Sequence, residues 1–347
     1  MVTAVLAIAT GCGSSNLPDT TPTTGPLRPA AATDSATLSG AGSTFVQPLV
    51  QEWIKEYQGI APGVSIDYAG TNSADAIDRF KAGDGDFVAS DVPLAERDEV
   101  ILGGSQAFVE TPWAAGAIGI PYNLPDVGDL RLSPGTLSGI FGGRITRWDD
   151  PDIKADNPGA RLPSLAITTI VRSDSSGTTQ WFTQYLQDTV NWGLGVGFTS
   201  RFPRGQGAKG SDGVVNAVKR ISGAIGYVGL SYAKSAGVPV AKLQNQAKNY
   251  VAPTTAAVQA ALSGASFRDF STVAKLYFLP ESPGAYPLST FTYIIYRKTG
   301  LDPAVATALR HFAAWAVSGG QRAAEGLGYI PLPRQFANAS LLAIQAY

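Results

Sequence analysis

Residues 172–179 read Arg-Ser-Asp-Ser-Ser-Gly-Thr-Thr, one permanent cation followed closely by small hydroxyls and a glycine. The β-branched run 165–171 precedes them and the amphipathic, aromatic-rich run 180–186 follows, which predicts a strand, a tight polar turn and a helix start. Ser176, Gly177 and Thr178 then occupy the first helical positions, where backbone N–H groups have no intrahelical partner. Free donors, the positive end of a helix dipole and two hydroxyls suit a small anion. Arg172 adds a planar fork that can hold two oxygens of an oxyanion. Ser and Thr are also the ordinary capping residues, so this segment alone does not separate an anion site from a cap.

The same local design recurs upstream. Gly40-Ala41-Gly42-Ser43-Thr44-Phe45 leads into a helical pattern beginning near Pro48. Val64-Ser65-Ile66-Asp67-Tyr68 alternates as a half-buried strand and passes through 69–73 to a helical segment at Ala74–Phe80. Phe87-Val88-Ala89-Ser90 is a short strand ending at Asp91, with Pro93 turning the chain. In open α/β sheets, ligands bind where strands hand over to helix starts. Three such places rich in Ser, Thr and Gly, with Arg172 and Asp91, can converge on one small anion. Strands alternate with helices along the chain, which predicts an α/β fold with a largely parallel sheet.

The matching segments are specific enough to carry a resemblance. Residues 40–45, Ala89-Ser90-Asp91-Val92-Pro93-Leu94, 172–178, Trp148-Asp149-Asp150 with Asn157-Pro158-Gly159, and Gly223-Ala224-Ile225-Gly226-Tyr227-Val228 occur in the right order. With these, the chain from about Leu38 onward resembles the phosphate-binding proteins of bacterial ABC phosphate importers. The resemblance implies a type II periplasmic-binding-protein fold, in which two lobes joined by a two-segment hinge enclose a ligand cleft. It implies phosphate held by Thr44, the Phe45 backbone N–H, Ser73, Asp91, Arg172, Ser176, Gly177 and Thr178, with a contact from Ser43. Asp174 resembles the carboxylate that orients the binding arginine. Where many relatives carry small glycines after the binding serine, this chain has Ala74 and Asp75, and a cleft-facing Asp75 would weaken anion binding. The implied chain crossings lie near 113–116 and near 284–287, so 37–115 with 287–347 would form lobe I and 116–286 lobe II.

Composition narrows the alternatives. Charged residues make up 15% of the 347 residues and the net charge is −1, which lacks the basic stripe that nucleic acid demands. The single cysteine, Cys12, ends the apolar run Leu6-Ala7-Ile8-Ala9-Thr10-Gly11. That context resembles a bacterial lipoprotein signal, making 1–12 a signal-peptide remnant and Cys12 the lipidated residue. The basic residue that should open such a signal is missing from Met1-Val2-Thr3-Ala4, so the expected start lies upstream. Residues 13–36, rich in Ser, Thr, Pro, Gly and Ala, read as a flexible tether.

Enzymatic readings are weaker. Gly205-Gln206-Gly207-Ala208-Lys209-Gly210 matches G-x-G-x-x-G, but no acidic residue follows at the spacing that holds a ribose, so it reads as a surface loop. His311, the only histidine, sits among aromatic residues of a helical pattern and reads as structural. A hydrolase would need His311 to reach Ser176, and no G-x-S-x-G elbow surrounds that serine. One His and one Cys leave no ordinary metal cluster. The resulting expectation is a monomeric, non-enzymatic protein without metal or cofactor, lipid-anchored outside the cytoplasmic membrane, that passes inorganic phosphate to the permease subunits of an ABC importer. A sulfate-like oxyanion binder is the nearest alternative, and a phosphate-related hydrolase or surface sensor the more distant one.

Overall fold

The computed structural model describes residues 35–263 and 282–346; Cys12 and nearly all of the expected tether lie outside them. Along the chain, β1 (Ala36–Gly42), α1 (Gln47–Ile60), β2 (Val64–Gly70), α2 (Ser73–Ala82), β3 (Phe87–Ser90) and α3 (Glu96–Ile101) alternate as their periodicities require. β4 (Phe108–Gly119) follows, then β5 (Arg131–Leu132), α4 (Pro134–Phe141), α5 (Pro151–Asp156), β6 (Thr168–Arg172) and α6 (Gly177–Val190). Next come β7 (Gln206–Ala208), α7 (Gly210–Arg220), β8 (Ala224–Gly226), β9 (Val228–Gly229), α8 (Leu230–Ala236), β10 (Lys242–Gln244), β11 (Tyr250–Val251) and α9 (Thr255–Leu262). The final elements are β12 (Ser289–Arg297), α10 (Pro303–Ala316), α11 (Arg322–Gly326) and α12 (Arg334–Gln345).

The strands form a six-stranded sheet, β2-β1-β3-β12-β4-β9, and two three-stranded sheets, β7-β6-β8 and β11-β10-β5. Two sheets carry the parallel order expected of βα units: β1 lies parallel to β2 and β3, and β6 parallel to β7 and β8. The other half of the large sheet departs from the expectation, because β12 runs antiparallel to both β3 and β4. β12 arrives from far downstream of both neighbours, Ser289 pairing with Ala117 and Tyr293 with Ser90, and such a return carries no local sequence signal.

Residues 113–116, expected to hold a chain crossing, lie inside the continuous 12-residue strand β4. Its small residues, Ala114, Ala115 and Gly116, serve packing there. A Cβ on Gly116 would come within 2.8 Å of the Phe45 ring, and one on Gly229 within 3.0 Å of the same ring. The Tyr329 hydroxyl donates to the Phe45 carbonyl at 2.6 Å. Phe45 is thereby wedged against β4 and β9, fixing the turn that carries Ser43 and Thr44. His311 lies in α10, one residue from the fully buried Phe312. No helix among the described residues is long and apolar enough to cross a membrane.

Candidate functional site

Four helix starts and strand ends meet around Asp91, which leaves the end of β3 only 1% exposed. Its Oδ2 accepts from the Ser43 hydroxyl at 2.6 Å and, more weakly, from the Ser73 hydroxyl at 3.4 Å. Its Oδ1 accepts from Thr292 Oγ1 at 2.8 Å. Burial pushes the carboxyl up to about 6, against the opposing pull of the Ser43 and Thr292 hydroxyls, the Arg172 charge and Ser73. At neutral pH the group is therefore an ionised acceptor in a dry setting. Ser43 also takes a hydrogen bond from the Phe45 N–H at 3.0 Å, so a relay runs from the Phe45 amide through Ser43 to Asp91.

Facing Asp91 is the β6–α6 turn. Arg172 is 3% exposed and forks onto Asp174, with Nε donating to Oδ1 at 2.7 Å and Nη2 to Oδ2 at 2.5 Å. Asp174 also accepts from the Gly210 N–H at the start of α7, at 3.0 Å. Burial works against its charge, yet the Arg172 hydrogen bonds, the Arg172 charge and the Gly210 amide hold it below the usual carboxylate range. A guanidinium has five N–H groups, and two of them are committed to Asp174. Ser176 is a true N-cap, its Oγ accepting from the Thr179 N–H at 3.3 Å. Thr178 differs, because its buried Oγ1 has no hydrogen-bond partner among the described residues. A buried hydroxyl left unpaired costs roughly 1–3 kcal/mol, so it marks a position where a ligand oxygen would be stabilised.

The two sides touch directly. Trp181 Nε1 donates to the Asp91 carbonyl at 2.6 Å, and Thr44 Oγ1 shares a hydrogen bond with Ser211 Oγ at 2.9 Å. The Tyr232 hydroxyl donates to the Thr44 carbonyl at 2.5 Å. Gly177 packs so tightly that a Cβ there would lie 2.5 Å from Ser73 Oγ and 2.9 Å from Asp91 Cβ. Gly177→Ala is therefore expected to hold the two sides apart and to weaken ligand binding, with overpacking of about 1–3 kcal/mol, or roughly 5- to 150-fold. Small-angle scattering should show the unmutated protein contracting when phosphate is added and the alanine variant contracting less. An equal contraction would show that this contact does not limit closure.

All nine residues expected to bind the anion thus lie on these two facing sides. Asp75 is turned away from the cluster: it pairs with Arg79 at 3.0 Å on the surface of α2, while Asn72 caps that helix. The concern that Asp75 would oppose an anion is thereby removed. Thr292, Ser211 and Trp181 were not anticipated as parts of the site. The G-x-G-x-x-G segment is not the expected surface loop, since 206–208 form strand β7 beside β6 and Gly210 opens α7 against Asp174.

A profile of the PBP superfamily domain matches residues 28–319. The phosphate-binding protein PstS of Xylella fastidiosa strain 9a5c is 36% identical over 306 residues, covering 87% of this chain and 83% of its own. The phosphate-binding protein PstS 3 of Mycobacterium tuberculosis is 34% identical, covering 89% of this chain and 86% of its own. The chain belongs to the PstS family. Solved structures of like fold include the high-affinity periplasmic phosphate-binding protein PfluDING, determined with phosphate bound, at TM-score 0.70 and 22% identity over 87% of this chain and 92% of that one. Another is the phosphate-binding protein of Stenotrophomonas maltophilia, at TM-score 0.65 and 21% identity over 88% and 93% of the two chains. The PstS family membership agrees with a two-lobed periplasmic-binding-protein fold.

Proposed function

We propose that this chain captures inorganic phosphate outside the cytoplasmic membrane and delivers it to an ABC phosphate importer, without catalysing a reaction. The observation that carries the proposal is the meeting of a buried cation and a buried anion, Arg172 and Asp91, among hydroxyls contributed by facing elements. An anion that still carries a proton satisfies both: its bare oxygens accept from Arg172 and the α6 amides, and its O–H donates to Asp91. Phosphate near neutral pH meets that description in both its monobasic and dibasic forms, and fully ionised sulfate does not.

In this reading Ser43, Thr44, the Phe45 amide, Ser73 and Asp91 act from lobe I (37–115 with 287–347). Arg172, Ser176, Gly177 and Thr178 act from lobe II (116–286), and Asp174 orients the arginine. Ligand that prefers the closed arrangement shifts the population toward it. The protein works as a monomer tethered through lipidated Cys12 and hands its cargo to the permease subunits. Isothermal titration with phosphate, sulfate and arsenate tests the assignment. Tight binding of phosphate with little response to sulfate is the expected result, and equal binding of sulfate would overturn it.

A further inference from the structure

We infer that Thr292 is a specificity-positioning residue, whose hydroxyl keeps Asp91 in the acceptor state that distinguishes a protonated oxyanion from a fully ionised one. The inference rests on the reading of Asp91 as the phosphate filter and extends it to a residue in the other half of the large sheet. Thr292 is fully buried on β12, and the β12–β3 register sets Tyr293 opposite Ser90, which places Thr292 across from Asp91. Directly opposed residues of an antiparallel pair point to the same face. The pairing with β4 shifts register between Thr292 and Tyr293, skipping Trp113. Irregularities of this kind re-aim side chains next to functional sites.

A carboxylate offers about four lone-pair positions. Ser43 donates to Oδ2 at 2.6 Å and Thr292 to Oδ1 at 2.8 Å, while Ser73 reaches Oδ2 only at 3.4 Å, so lone-pair space is left, on Oδ1 among others, for a proton carried by the ligand. Thr292 therefore does two things at once: it fills one side of Oδ1 and it stabilises the charge. Arg172 is the charged group acting on Asp91 from β6. Tyr68, Tyr232 and Tyr329 also face it, and burial keeps all three phenols neutral. With the carboxyl already pushed up to about 6 by burial, loss of one of its two strongest hydroxyl donors moves it toward neutrality. A protonated Asp91 would donate to an oxyanion instead of accepting from it, and sulfate would then be tolerated.

The test is competition of sulfate against bound inorganic phosphate between pH 5 and pH 9, on the unmutated protein, Thr292→Val, Thr292→Ala and Thr292→Ser. Sulfate should begin to compete only below about pH 6 in the unmutated protein. In T292V and T292A the onset should move up by about one to two pH units, as expected for loss of a hydrogen bond to a charged group. T292S, which keeps the donor, should restore the original onset. Equal weakening at every pH with an unmoved onset would overturn the role of Thr292, as would unchanged behaviour. Should T292V and T292A not fold, direct titration of the Asp91 carboxyl by NMR in Thr292→Cys, whose thiol is only a weak donor, gives the same answer when set beside T292S: an upward displacement of the midpoint in the cysteine variant alone supports the role, and matching midpoints overturn it. Equal competition by sulfate above pH 7 in the unmutated protein would instead remove the underlying phosphate reading.

Discussion

Arg172→Ala is expected to weaken phosphate binding by roughly 30- to 5000-fold, equivalent to about 2–5 kcal/mol for losing one partner of a buried, hydrogen-bonded charge pair. The guanidinium is almost wholly buried and its Nε and Nη2 are fixed by Asp174, so its remaining N–H groups are already oriented. Arg172→Lys should recover only part of the loss, because an ammonium is a point charge and cannot hold two oxygens in a plane. Part of the effect of the alanine variant arises from stranding Asp174, which would keep backbone donors such as the Gly210 amide but lose its charged partner. The double variant Arg172→Ala/Asp174→Asn separates the two contributions: affinity regained there belongs to the stranded carboxylate, and the deficit that persists belongs to the lost contact. Titration calorimetry reads each case. Near-unchanged affinity in Arg172→Ala would remove Arg172 from the site.

Asp91→Asn is expected to have its largest effect on discrimination rather than on phosphate affinity. A site built around a required hydrogen bond can reject the analogue lacking it by about 10⁴–10⁵. The asparagine amide can donate to a bare oxyanion while its carbonyl still accepts from P–OH, so sulfate should become an effective competitor. The pH dependence follows from the raised carboxyl. With burial pushing Asp91 up to about 6, it is ionised above that pH, where the proposed filter would reject sulfate, and protonated below it, where the distinction would be lost. Discrimination should therefore fall as the pH drops through about 6 in the unmutated protein and stay low at all pH values in the asparagine variant. Competition titrations at several pH values decide this. Retained rejection of sulfate by Asp91→Asn would show that the filter lies elsewhere.

The parts of the site that were legible in the sequence are those built from consecutive residues. A strand ending in Arg172, followed by Ser176-Gly177-Thr178, gives the β6–α6 turn with its cap and its free Thr178 hydroxyl. The turn after β1 and the strand ending before Asp91 are equally local. What escaped is long-range. Thr292 is one of two threonines in a strand buried along almost its whole length, and only the β12–β3 register gives it a role. Ser211 is indistinguishable from an ordinary residue of a helix start until Thr44 is brought to it from 167 positions away. The Gly205–Gly210 segment reads as a loop because its three-residue strand is too short to show alternation. Asp75 illustrates the converse: its i,i+4 partner Arg79 was in plain view, and that spacing favours pairing along the helix face.

The indole of Trp181 is almost fully buried and gives its N–H to the Asp91 carbonyl, one bond across the meeting of the two sides. Any parting of those sides must break that bond and wet the ring, whereas Trp53, Trp113 and Trp148 are fully buried and Trp192 and Trp315 pack on Phe202 and Tyr57 and give a constant background. The protein therefore contains its own optical gauge. Indole emission shifts toward longer wavelengths in water, so the colour of its intrinsic fluorescence reports the fraction of molecules that are shut. Capture and release can thus be followed in real time without attaching a dye to the cleft.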